Sequence, residues 1–136
     1  MKTQLKTLFF ILAMVLLSQC EKDNPQVTIP DDNFLNALIE LGVDKNGDGF
    51  VNLAEAEVIT SLNVSKDSIS SLTGIEAFVN LAQLDCSFNL LNSLNISHNI
   101  GIKYLRCENN RLTSLDISIN TALTKFVLRL EPINHP

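Results

Sequence analysis

Histidine is scarce in this 136-residue chain: there are two, His98 and His135. The position of His98 is taken by Ile119 one internal repeat later, so it holds no recurring chemical role. Ser87, Ser93 and Ser97 also fall at repeat positions, which explains them without a nucleophile. The reading is of a protein that is not an enzyme. The five glycines form no phosphate-cradling loop. Basic residues are in the minority, 10 against 15 acidic, a net charge of −5. That balance excludes nucleic acid as a partner, since phosphates need a basic face. Long apolar runs are also missing. The one candidate, Leu8 to Leu17 ("LFFILAMVLL"), is too short to span a bilayer. Of the three cysteines, Cys86 and Cys107 occupy matching places in successive repeats. They are repeat-core residues first, and a disulfide or metal pair only second.

The apolar run does have a use. Preceded by Lys2 and Lys6, it has the layout of an export signal, expected over residues 1–19. Its exit, "LLSQC", resembles a bacterial lipobox, although Gln19 stands where Gly, Ala or Ser is usual. The resemblance implies lipidation of Cys20, which would then be the first mature residue and hold the protein to a membrane. Loss of Lys2 and Lys6 leaves 8 basic against 15 acidic side chains. Residues 20–29, polar and containing Pro25, are expected to form a tether.

Residues 30–60 read as a helical cap around a loop. Pro30-Asp31-Asp32 is a helix start, and Phe34, Leu35, Leu38 and Ile39 continue at helical spacing to about Leu41. Asn52 and Glu55 form a capping pair for a second helix running to about Thr60, with Leu53, Ala56 and Ile59 as its inner face. Between the helices lies "DKNGDGFVNLAE", Asp44 to Glu55. It places oxygen donors where an EF-hand-like loop wraps calcium: Asp44, Asn46, Asp48, the Phe50 carbonyl, Asn52 and Glu55, with Gly49 at the sharp turn. There is one such loop, not the usual pair. Both methionines, Met1 and Met14, lie in the leader, so the methionine-rich groove of a calcium sensor is excluded. The expected Ca2+ is therefore a structural clamp.

From residue 61 the period changes. The blocks "LAQLDCSFNLLNSLNISHNIG" (81–101) and "IKYLRCENNRLTSLDISINTA" (102–122) superpose without a gap: Leu84 on Leu105, Cys86 on Cys107, Asn89 on Asn110, Asn99 on Asn120. A half-period starts at Leu81, Leu91, Ile102 and Leu112. Such repetition predicts a solenoid with two extended segments per coil, one on each side, and asparagines at the corners binding buried backbone groups. The expected fold class is α+β: a short helix-loop-helix cap, then a β-rich leucine-rich repeat solenoid of about three coils of ~21 residues. The repeats resemble leucine-rich repeats. Ile29 to Phe126, with its "IPDDNF" entry, acidic loop, "LTGIEAFVNL" connection and Asn-cornered coils, is similar to leucine-rich repeat surface lipoproteins of Bacteroidota and, more broadly, to internalin-like proteins. The resemblance implies an interaction protein at a bacterial outer membrane or cell surface. After Phe126 the pattern lapses, since Glu131-Pro132 replaces the corner asparagine, and residues 61–136 read as an array truncated at its C-terminus. The rival reading is a truncated, ligandless paralogue that self-associates through an open repeat end.

In-register stacking places residues 21 apart side by side. Gln83, Asp85 and Ser87 should lie beside Tyr104, Arg106 and Glu108, and these beside Lys125, Val127 and Arg129. Asp85 should then face Arg106, and Glu108 should face Arg129. Tyr104, the one tyrosine, projects among charges. Tyr104, Arg106, Asp85 and Glu108 are the expected binding residues for a protein or glycan on the repeat face. The alternative is a solvated face where Tyr104 only covers its neighbours.

Overall fold

A computed structural model describes residues 24–130. The leader, Cys20, His135 and the Glu131-Pro132 segment lie outside the described residues.

Helix α1 spans Asp32–Glu40. Asp31 starts it by accepting from the Phe34 amide at 3.0 Å, and Phe34, Ala37 and Leu38 form its buried stripe. Gly42, at φ +72°, ends it. The Gly42 and Val43 amides donate back to the Ile39 and Leu38 carbonyls at 2.9 and 3.0 Å, a Schellman closure that needs a left-handed residue. Helix α2 spans only Leu53–Glu57. The capping pair forms: Glu55 N donates to Asn52 Oδ1, and Asn52 N donates to Glu55 Oε2, each at 3.0 Å. The helix does not reach Thr60, because the Thr60 carbonyl accepts from Ala82 and Gln83 of the next coil and so belongs to the sheet. Ala56 is fully buried, while Leu53 and Ile59 are half-buried against the core.

Strands β1 (Ser61–Asn63), β2 (Gln83–Asp85), β3 (Tyr104–Arg106) and β4 (Lys125–Val127) form one parallel sheet in chain order. Gln83 pairs with Tyr104 and Tyr104 with Lys125, the register expected from the repeat. The middle residue of β1, β2 and β3 points inward; Leu62 is 4 % exposed, and Leu84 and Leu105 are fully buried. A 3-10 turn, Ile75–Ala77, links the first coils.

Two expectations are corrected. The coil does not have a strand on each side. On the second side, Asn95 and Asp116 side chains accept from the Ser97 and Ser118 amides at 3.0 and 2.9 Å, and Asn99 N donates to Ile96 O at 3.0 Å. These amides are spent locally, so no ladder forms there, and among the described residues the strands are four, of three residues each, instead of a β-rich stack. Nor is 20–29 a free tether throughout. Val27 N donates to Val51 O at 2.8 Å, Leu53 N donates to Pro25 O at 3.0 Å, and Val27 is buried in the core. Thr28 and Ile29 press on Gly74, where φ is +104° and a Cβ would come within 2.7 Å of Ile29 Cγ1. The apolar segment joins the domain because it covers the first coil.

The corner asparagines do what their positions imply. Asn89 Nδ2 donates to Val64 O and Cys86 O at 2.7 and 3.1 Å, while its Oδ1 accepts from Asp67 and Ile69. Asn110 repeats this one coil on. Asn99 and Asn120 form a second ladder at the opposite corner, donating to Ile75, Phe78, Ile96 and Asn99 carbonyls.

Candidate functional site

The acidic loop is closed by its own side chains. Asp44 accepts from Gly47 and Gly49 amides at 2.7 and 2.9 Å. Asn46 Oδ1 accepts from Asp48 N, and Asp48 Oδ1 from Phe50 N. Asn46 Nδ2 donates to Asp48 Oδ2 at 2.8 Å. Glu55, buried at the far end, reaches back to the start: its Oε1 accepts from Lys45 and Asn46 amides at 2.9 and 3.3 Å. The last loop position thus lies against the second and third, and Gly47 and Gly49 take the left-handed backbone that this needs. Among the described residues no three acidic, His or Cys side chains converge as a metal-holding group. The loop's oxygens are turned to amides. The donor set itself is oxygen-only, which suits a hard cation such as calcium.

The strand face is partly as expected. Arg106 Nη1 lies 3.3 Å from Asp85 Oδ2, so the expected pair across β2 and β3 forms. Glu108 does not face Arg129. Its Oε1 accepts from Arg106 Nε at 3.0 Å and also binds Nη2. Residues two apart share a strand face, so the guanidinium fork closes on the carboxylate of its own coil before any neighbour reaches it. This bond raises the Arg106 pKa still further, with Asp85 adding to it. Asp85 is held in turn by the Ser87 hydroxyl at 2.6 Å. Tyr104 is half-buried, and the Lys125 ammonium sits 5.2 Å from its ring centroid. It is less exposed than expected because Lys125 covers it. Lys125 and Ser87 are supporting residues that the sequence reading did not single out, although the 21-residue register already placed Lys125 beside Tyr104.

Cys86 and Cys107 are free, buried and stacked in register inside the coils. Burial pushes both thiols up, Cys107 to about 12, so they stay protonated and inert. Cys86 Sγ donates weakly to Arg106 O at 3.4 Å, which fits a core role and not a redox pair.

No family model matches the chain. Internalin J of Listeria monocytogenes serotype 4b is 34 % identical over 70 residues, which is 52 % of this chain and 8 % of that protein. The solved functional domain of Listeria internalin J, described as including a cysteine ladder, superposes with a TM-score of 0.66 at 30 % identity, over 77 % of this chain and 24 % of that one. The internalin InlF from the same species gives 0.64 at 24 % identity, over 77 % and 32 %. This chain therefore spans a third or less of each relative. Within that span, parallel strands, asparagine corners and stacked cysteines make it an internalin-like leucine-rich repeat domain.

Proposed function

We propose that this chain is an interaction protein held at a bacterial surface through lipid on Cys20, with a calcium-clamped cap and a binding face on the strands. The observation that carries the reading is the row across β2, β3 and β4, where Asp85, Arg106, Glu108, Tyr104 and Lys125 lock one another in place on a rigid sheet. A preorganised polar row with a partly exposed ring loses little side-chain entropy when a protein docks. The likeness to internalins supports a binding role and a surface location. Asp44, Asn46, Asp48 and Glu55 side chains, the Phe50 carbonyl and Asn52 would hold the calcium, which would supply a cross-link between α1 and α2.

Three measurements test this. Protease added to intact cells should cleave the protein, and Cys20→Ala should release it to the soluble fraction. Tyr104→Ala and Arg106→Ala should weaken capture of a protein partner while leaving the fold intact; unchanged affinity in both moves the binding site off the strands. The rival, self-association at β4, draws support from Phe126, which is 36 % exposed where its counterparts Leu84 and Leu105 are fully buried. Light scattering decides it, because a monomer at every concentration removes that reading.

A further inference from the structure

On the half of the coil opposite the sheet, segments 71–76 and 93–98 flank an open groove of 280 Å³, with Thr73, Glu76, Ser93, Asn95 and His98 exposed along it. That is just below the roughly 300–1,000 Å³ of drug-sized sites. Its walls carry three hydroxyls (Ser71, Thr73, Ser93), the Asn95 amide, the Glu76 carboxylate and the His98 imidazole. Leu72 and Leu94 supply a small apolar floor.

The groove is not a by-product of the repeat. Asn99 Nδ2 donates to Ile75 O and Phe78 O as Asn120 Nδ2 does to Ile96 O and Asn99 O, so Glu76 corresponds to Ser97 and His98 to Ile119, and Glu76 and His98 line one space from adjacent coils. One coil later the same two positions are Ser97 and Ile119, so neither the carboxylate nor the imidazole recurs, and Ile119 is half-exposed. Polar capacity is left over. Glu76 Oε2 accepts from Gly74 N at 2.9 Å, and Asn95 Oδ1 accepts from Ser97 N at 3.0 Å. His98 Nδ1 meets the Ser97 hydroxyl at 3.3 Å. Glu76 Oε1, Asn95 Nδ2, Ser93 Oγ and His98 Nε2 remain for a ligand among the described residues.

The lining selects a ligand class. No Lys or Arg is present, so an anion would meet Glu76 uncompensated. The floor is too small to hold a large apolar molecule. Donors and acceptors in near-equal supply, around a patch sized for one ring, match a molecule with a hydroxyl on nearly every carbon. We propose that this groove is a subsite for a neutral sugar residue. Nothing in this rests on the strand-face reading, because none of these residues lies in β1–β4. With few contacts and no aromatic platform, the affinity belongs in the millimolar range, about −4 kcal/mol.

The test is an amide chemical-shift titration of the purified protein with glucose, galactose and N-acetylglucosamine, each to about 10 mM, and with glucuronate as the charged control. At least one neutral sugar should give saturable shifts confined to residues 71–76 and 93–98, with glucuronate weaker. His98→Ala, which tolerates the apolar residue found at 119, should weaken that binding at least tenfold with the spectrum otherwise unchanged. Glu76→Gln keeps an acceptor for Gly74 and should relieve the discrimination against glucuronate. Absence of saturable shifts with all three neutral sugars, unchanged affinity in His98→Ala, or tighter binding of glucuronate to the unmodified protein would each overturn the proposal.

Discussion

Asn110 shows how single residues hold this protein together. Its Nδ2 donates to Cys86 O and Cys107 O at 2.9 and 3.0 Å, and its Oδ1 accepts from Leu91 N at 3.0 Å. Asn110→Ala leaves Cys86 O satisfied through Asn89, but strands the Leu91 amide and the Cys107 carbonyl inside the coil. At about 1–3 kcal/mol per stranded group, the variant should lose about 3 kcal/mol in denaturant melts. A loss under about 1 kcal/mol would mean that water reaches this corner. The cysteines make the opposite kind of prediction. With Cys107 pushed up to about 12 and Cys86 raised by burial, neither thiol is ionised near pH 8. Iodoacetamide should leave both unmodified in the native protein and label both after denaturation, as read by peptide mass. Native labelling at Cys107 would show that the last coils open readily.

At the scale of elements, Asp31 joins the cap to the repeats. Besides starting α1, its Oδ2 accepts from Ser70 N, Ser70 Oγ and Ser71 N at 2.9, 2.6 and 3.0 Å. Burial pushes its carboxyl up, but the Ser70 hydroxyl and the Phe34, Ser70 and Ser71 amides outweigh this and hold it below the ordinary 3.8. The charged form is thus favoured by folding. The stability it adds is complete above the unfolded value and is lost as pH falls through the folded one. Asp31→Asn keeps the helix cap but turns an NH2 toward amides that need an acceptor. It should cost about 1–2 kcal/mol at pH 7, and the gap to the parent should narrow below about pH 4. A pH-independent gap would assign the loss to packing. In the loop, Glu55 plays two parts, cap for α2 and proposed calcium ligand, and they separate experimentally. Calcium should raise the melting temperature relative to chelator; saturation a thousandfold above Kd is worth about 4 kcal/mol. Asp44→Ala should abolish that response. Glu55→Ala should abolish it and also destabilise the protein in chelator by about 1 kcal/mol, through the lost capping box. Identical melts in calcium and chelator would sink the clamp.

Across the whole molecule, stability accrues coil by coil through nearest neighbours. β2 and β3 are hydrogen-bonded on both edges, whereas β4 is paired on one edge among the described residues. Phe126 is partly exposed there. Burying about two-thirds of a phenylalanine forgoes about 1 kcal/mol relative to complete burial. Native-state hydrogen exchange should therefore show lower opening free energies for amides of Lys125–Val127 than for Val64 and Cys86, whose amides donate to Asp85 O and Arg106 O away from β4. Equal protection along the stack would indicate that something covers the β4 edge.

Most of the solenoid was legible in the residues. Leucines on alternate positions, repeated every 21 residues, force the inward faces and the parallel register together, because a one-residue slip would turn Leu84 and Leu105 outward. The corner asparagines followed from the need to satisfy carbonyls where no strand continues, and the Asp85–Arg106 pair from register alone. Tertiary structure decided what has no period. Glu108 chose Arg106 over Arg129 because a guanidinium closes on the nearest same-face carboxylate. The second side of each coil is not a strand because Asn95 and Asp116 draw its amides into local turns. Val27 belongs to the core, and Asp31 reaches Ser70, only because the cap docks on the first coil. Glu76 and His98 share one groove because stacking brings two different repeat positions of adjacent coils side by side. Periodicity states which residues are equivalent; which unlike side chains meet across that equivalence is settled only when the coils stack.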